Sequence, residues 1–149
     1  MINSQSLKNI LLVEDLPSYQ DLMTIAFEEN NILHHLHIVN SAEEALLFLS
    51  QRQQYHNAPR PDLIMLDLDL PGMHGHELLK IIKEDHKIKY IPVIVLSTSN
   101  EPKDIQRSYA LKANCYISKP YELENFIEVV KESLNFWLNC SQIAQVNLK

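Results

Sequence analysis

Short apolar runs alternate with longer segments of helical spacing from one end of the chain to the other. Asn9-Ile-Leu-Leu-Val-Glu14 is a compact apolar run ending in acids, and Leu63-Ile-Met-Leu66 and Pro92-Val-Ile-Val-Leu96 repeat the pattern. Continuous apolar runs of this length read as strands buried on both faces. His35-Leu-His-Ile-Val39 and Cys115-Tyr-Ile-Ser118 are weaker strands. The second is closed by Lys119-Pro120, where the proline ring disfavours helix in the residue before it. Helical spacing marks Ser18 to Asn30, Ala42 to Gln53, Glu77 to Asp85, Lys103 to Leu111, and Leu123 to about Leu138. Ser41 with Glu44 three residues on predicts a capping box, and the helix it opens carries Ala45, Leu46 and Leu49 on one side. Gln51 to Pro61 is polar, with Pro59 and Pro61, and reads as a helix end and a surface loop rather than a linker. There is no internal repeat or low-complexity tract.

Strict alternation of this kind predicts an α/β fold: a doubly wound parallel sheet of five strands, covered by helices on both faces and joined by right-handed crossovers. The length of 149 residues suits one domain. In such sheets ligands bind beyond the carboxyl ends of the strands, at the point where the strand order reverses. The residues that end each strand therefore carry the expected chemistry.

Composition narrows the classes. A formal net charge of -6, with no block of Lys or Arg, argues against general nucleic-acid binding, which depends on clustered cations. No apolar run approaches the roughly 18 residues of a membrane span, and no signal peptide precedes the first strand, so a soluble chain is expected. Cys115 and Cys140 form neither a disulfide framework nor a metal-ligand pattern, which points to the reducing cytoplasm.

The first strand ends in Glu14-Asp15, the third in Asp67, the fourth in Ser97-Thr98 and the fifth in Lys119. Carboxylates converging on one edge repel one another unless a cation intervenes, and hard oxygen ligands suit Mg²⁺. Lys119 adds a positive charge and Ser97 a hydroxyl donor, so the set is suited to binding a phosphoryl group. Any one acid at a strand end is more often a helix cap or a solvated loop residue, and Glu14-Asp15 alone would be read as a cap. The combination on different strand ends is what carries the functional reading. His74 and His76, flanking Gly75, read as solvated residues at a helix entry and are left out of the site.

Glu14-Asp15, LIMLDLDLPGMHG from Leu63 to Gly75, VIVLSTS from Val93 to Ser99 and ANCYISKP from Ala113 to Pro120 together resemble a response-regulator receiver domain of two-component signalling. The resemblance covers Lys8 to Leu138, leaving an extension at 1–7 and a tail at 139–149. It implies the flavodoxin-like (βα)5 receiver fold with strand order 2-1-3-4-5. Within the family, the loop before Pro59, the Phe136-Trp137-Leu138 segment and the lack of an attached effector domain are similar to cyanobacterial phytochrome-associated receivers.

By that resemblance Asp67 is the phosphoacceptor, taking a phosphoryl group from a sensor histidine kinase, with a phytochrome as the implied kinase. Glu14, Asp15, Asp67 and the backbone carbonyl of Asp69 would hold Mg²⁺. Lys119 would pair with Asp67 or the phosphoryl group. Ser97 and Tyr116 match the switch hydroxyl and the switch aromatic, and the amides after the fourth strand, beginning at Thr98, would meet phosphoryl oxygens. Asp69 and Ser99 stand where they would tune hydrolysis of the acyl phosphate, and Lys119-Pro120 is a candidate cis peptide. The protein is then a signalling module rather than an enzyme, apart from catalysing its own phosphotransfer and dephosphorylation.

The last helix carries an expected core stripe of Leu123, Phe126, Ile127, Val130, Leu134 and Leu138. Val129, Phe136, Trp137 and Cys140 are an apolar surplus that favours a homodimer, through the fourth helix, fifth strand and fifth helix by resemblance; a Trp137 capping its own core is the alternative. The enzymatic rival is a haloacid-dehalogenase-like phosphohydrolase using Asp67 and Asp69. That motif normally opens its domain, and it leaves Glu14-Asp15 unexplained. A flavodoxin-like FMN carrier is weaker, since Glu14-Asp15 would repel a phosphate dianion.

Overall fold

Five strands form where the apolar runs lie: β1 (Lys8–Val13), β2 (His34–Val39), β3 (Leu63–Asp67), β4 (Val93–Ser97) and β5 (Cys115–Ser118). The structure, a computed structural model, describes residues 7–30 and 33–144. Residues 1–6 of the expected extension at 1–7 and residues 145–149 of the expected tail at 139–149 lie outside the described residues. All strands are parallel, in the order β2-β1-β3-β4-β5. The expected doubly wound sheet is therefore present, with its reversal between β1 and β3.

Alternation along the three central strands divides the core. Leu11, Val13, Ile64, Leu66, Val93 and Val95 face one layer, built on Ala45 and Phe48 of α2 (Ala42–Ser50) and Leu78, Leu79 and Ile82 of α3 (Gly75–Glu84). Ile10, Leu12, Leu63, Met65, Ile94 and Leu96 face the other, built on Met23 and Phe27 of α1 (Pro17–Glu28) and Phe126, Val130 and Leu134 of α5 (Leu123–Leu134). Each of the larger side chains among these contributes about 1.5–3 kcal/mol when fully buried. Coverage on both faces explains why the central strands read as unbroken apolar runs. Among the described residues no helix is long and apolar enough to cross a membrane.

The helices depart from their expected bounds for local reasons. Ser41 Oγ accepts from Glu44 N at 3.1 Å, but the Glu44 carboxylate returns to the amide of Asn40 at 2.9 Å rather than to that of Ser41, so the capping box is only half formed. The other Glu44 oxygen accepts from the Tyr55 hydroxyl. That contact folds the chain back after α2, which ends at Ser50 with Gln51 left-handed (φ 56°), and a single 3₁₀ turn follows at Gln53–Tyr55. α3 begins at Gly75 because His74 Nδ1 accepts from His76 N at 3.1 Å and caps it. α4 (Pro102–Ala110) begins on a proline, whose missing N–H costs nothing in a first turn. α5 passes into a π turn at Asn135–Cys140, closed by a bond from Ser141 N to Phe136 O at 2.8 Å.

The expected stripe on α5 needs one correction. Leu123 is 61% exposed, since it sits at the first position of the helix, before the turn that reaches the sheet. Phe126, Val130, Leu134 and Leu138 are buried as expected, and Ile127 packs partly against them. Trp137 also packs against this core, whereas Phe136 stays exposed.

Candidate functional site

Strand register brings the site together. Val13 of β1 lies opposite Leu66 of β3, so the next residues, Glu14 and Asp67, emerge at the same level beside the reversal point. Leu96 lies opposite Asp67, and Ser97 opposite Ser118, which places Ser97 and Lys119 one step beyond. Glu14, Asp15 and Asp67 each offer a carboxylate oxygen within 4.8 Å of the others. Glu14 and Asp67 are buried, and Asp15 is half-buried.

These groups are not at ease without a cation. Asp15 Oδ1 is buried, and among the described residues nothing donates a hydrogen bond to it. Burial pushes the Glu14 carboxyl well above the usual range, with the Asp67 charge adding to the rise and Lys119 opposing it. An orphaned carboxylate oxygen in a cluster of acids is what a hard divalent cation would satisfy, so the donor set fits a metal of that class.

Lys119 is buried, and the expected pairing with Asp67 is present but is not its shortest one. Its ammonium lies 2.6 Å from Glu14 Oε1 and 3.7 Å from Asp67 Oδ1. The preference follows from Glu14, the carboxylate most in need of a counter-charge once removed from water. The Lys119–Pro120 bond is trans, contrary to expectation, for no peptide among the described residues is cis. Lys119 reaches both acids from the trans form, which is the intrinsically favoured one even before proline.

The β3–α3 loop runs beneath the pocket. Both glycines of the chain lie there. Gly72 adopts φ 73°, a left-handed conformation that favours glycine, and the Glu43 carboxylate of α2 accepts from the neighbouring Met73 N at 2.8 Å. A Cβ on Gly75 would lie 2.6 Å from the backbone oxygen of Asp67, so only glycine lets α3 start this close to the strand end. Asp69 is exposed, and its amide donates to Asp67 Oδ1 at 3.3 Å.

At the next strand end Ser97 is fully buried and its oxygen accepts from Ser99 N at 3.1 Å, while Thr98 is exposed. The Tyr116 hydroxyl donates to the backbone oxygen of Ser99 at 2.9 Å. The side chain of Ser99 donates to Asp104 Oδ2 at 2.6 Å and accepts from Glu101 N at 3.1 Å, so it is engaged with the start of α4.

Two participants were not singled out from sequence, and a third residue was misread. The Tyr19 ring of α1 lies under the Lys119 ammonium, 3.9 Å from its centroid, a cation–π contact in a buried setting. Gln20 donates to the backbone oxygen of Glu14 at 2.6 Å. Both lie just after Pro17, and their nearness to Glu14-Asp15 in the chain was the available signal. His76 is the third: it is buried against Ser108 at 2.9 Å rather than solvated, because α4 covers the helix entry.

Comparison with known proteins agrees with this geometry. The model of the response regulator receiver domain matches residues 10–131. Response regulator Rcp1 of Synechocystis sp. is 41% identical over 131 residues, covering 88% of this chain and 89% of that protein. The phosphorylated cyanobacterial phytochrome response regulator RcpA superposes with a TM-score of 0.91 at 41% identity, covering 94% of this chain and 100% of that chain. The Mn²⁺-bound form of Rcp1 superposes with a TM-score of 0.89 at 39% identity, covering 93% and 99%. None of these similarities supports the phosphohydrolase alternative. With the fold, the strand order and the acidic pocket in agreement, the chain belongs to the response regulator receiver domain family.

Proposed function

We propose that Asp67 is the phosphoacceptor of this response regulator and that the phosphoryl donor is a phosphohistidine on a sensor histidine kinase. The observation that carries the reading is the placement of Asp67 within 4.8 Å of the Glu14 and Asp15 carboxylates, with the Lys119 ammonium 3.7 Å away. In the transfer the P–N bond of the donor breaks, keeping its electron pair on the departing imidazole, and a P–O bond forms to a carboxylate oxygen of Asp67. Little covalent assistance is needed; position and charge balance decide the rate.

Glu14, Asp15, Asp67 and the backbone carbonyl of Asp69 would hold the divalent cation, which we take to be Mg²⁺. When bound it offsets negative charge on the phosphoryl oxygens. Lys119 supplies a second positive charge, and Ser97 and the amide of Thr98 stand at the end of β4 to donate to the remaining oxygens. Drawing the Ser97 hydroxyl toward the phosphoryl group pulls on Ser99, and so on the carbonyl that Tyr116 holds. The Ser97–Tyr116 switch is thereby linked to the α4–β5–α5 face. On the open side of the pocket, Asp69 controls the approach of water and so the lifetime of the acyl phosphate.

The resemblance of Rcp1 and RcpA over nearly the whole chain supports a phytochrome as the kinase. Exposed Tyr109, Tyr121 and Leu123 on the α4–β5–α5 face support a homodimer through that surface. The free thiols Cys115 and Cys140 accord with a cytoplasmic location, and residues 8–138 form the signalling unit.

The deciding experiment is to incubate the protein with Mg²⁺ and a small phosphodonor and to read the intact mass. Wild type is expected to gain one phosphoryl group and Asp67→Asn none. A persistent adduct on Asp67→Asn would overturn the assignment.

A further inference from the structure

Beyond the acidic pocket a hydrogen-bonded chain runs from Ser97 through α4 to α3. Ser99 N donates to Ser97 Oγ at 3.1 Å, and Ser99 Oγ donates to Asp104 Oδ2 at 2.6 Å. One turn further along α4, Ser108 Oγ donates to the backbone oxygen of Asp104 at 2.8 Å. With its proton spent there, Ser108 accepts from the Nε2–H of His76 at 2.9 Å, which fixes the His76 tautomer. Ser108 and His76 are both buried, so the link between α4 and α3 is shielded from competing water.

The orientation of Ser97 depends on this chain. Its oxygen is held by the Ser99 amide, and among the described residues no acceptor takes its proton, which leaves the hydroxyl able to donate to a ligand at the strand end. Ser99 is held in turn by its bond to Asp104. We propose that Asp104 is a positioning residue for the Ser97 hydroxyl, acting through Ser99, with the Ser108–His76 pair anchoring the helix that carries it. The proposal rests on the reading of Asp67 as phosphoacceptor. An acid in the first turn of a helix is ordinarily stabilising through its charge alone. The 2.6 Å bond to Ser99 separates the two roles, because asparagine keeps an accepting oxygen and loses the charge.

The test follows the initial rate of adduct formation on Asp67, with Mg²⁺ and a small phosphodonor, by intact mass. Wild type, Asp104→Ala, Asp104→Asn, Ser99→Ala and the Ser99→Ala/Asp104→Ala double variant are compared. Loss of one hydrogen bond that matters to the transition state is expected to slow Asp104→Ala about fivefold. Asp104→Asn should stay close to wild type, and the double variant should be no slower than Ser99→Ala, since the two residues act through each other. Asp104→Ala reacting as fast as wild type overturns the proposal, as do additive effects in the double variant. Asp104→Asn as slow as Asp104→Ala also overturns it and assigns the effect to helix charge. If wild type forms no adduct at all, the phosphoacceptor reading fails and the proposal falls with it. A normal wild-type adduct with unaltered variants removes the positioning role alone.

Discussion

Lys119 is the residue on which the charges of the pocket turn. It is buried between two carboxylates and an aromatic ring, and removing it leaves Glu14 in a dry site with no counter-charge. Lys119→Met is expected to cost about 3–5 kcal/mol of stability in cation-free buffer, the range for breaking a buried ion pair. Added Mn²⁺ or Mg²⁺ should recover part of that loss by stabilising the same carboxylate. Urea titrations with and without cation check this, and an equal loss in both would disconnect the ion pair from a cation site. His76 makes a second prediction. Burial, followed by the charges of His74 and Arg107, lowers its pKa below the ordinary 6.5. Between the lowered value and 6.5 the unfolded chain binds more protons, so stability is lost as pH falls through 6.5. His76→Gln should lose less stability between pH 7.5 and pH 5 than wild type does, read from urea midpoints.

At the scale of elements, α3 is tightly constrained at its start. Its first residue meets the backbone of Asp67 so closely that Gly75→Ala requires the helix or the strand end to shift. A cost of roughly 1–3 kcal/mol is expected, the usual penalty of overpacking. The displacement should also slow adduct formation on Asp67, and a destabilised variant with an unaltered rate would show that the pocket tolerates the shift. α2 is fixed at its start by a side-chain cap. Ser41→Ala removes one cap bond and should cost about 1 kcal/mol in a thermal or urea melt. The Glu44 contacts to Asn40 and Tyr55 survive that substitution, so the turn after α2 should keep its shape.

At the scale of the whole molecule, two layers of apolar side chains hold a sheet whose buried charges, Glu14, Asp67 and Lys119, gather at the carboxyl ends of its strands. The apolar surplus of α5 divides accordingly. Trp137 is taken up by the chain's own core, while Phe136 is left outside with Tyr109, Tyr121 and Leu123 elsewhere on the surface. Sedimentation at micromolar concentration is expected to show a dimer that Tyr121→Glu together with Leu123→Glu disperses. A wild-type monomer both before and after phosphorylation would remove the dimer proposal.

Much of this was legible in the chain itself. Unbroken apolar runs at β1, β3 and β4 imply burial on both faces, because a half-exposed strand would alternate. The acids, hydroxyls and lysine that follow those runs must then share an edge, since parallel strands end on the same side. Element order, fold class and the charged and hydroxyl groups at the strand ends were therefore legible in local pattern, while Tyr19 and Gln20, which also line the pocket, were not. Nor was pairing. Whether Lys119 prefers Glu14 or Asp67 depends on differences of about an ångström set by strand register and by the Tyr19 ring, neither of which is a local property. The burial of His76 is likewise decided only when α4 closes over α3. Sequence pattern chose which residues meet; tertiary packing alone, through desolvation and distance, chose which of them bind each other.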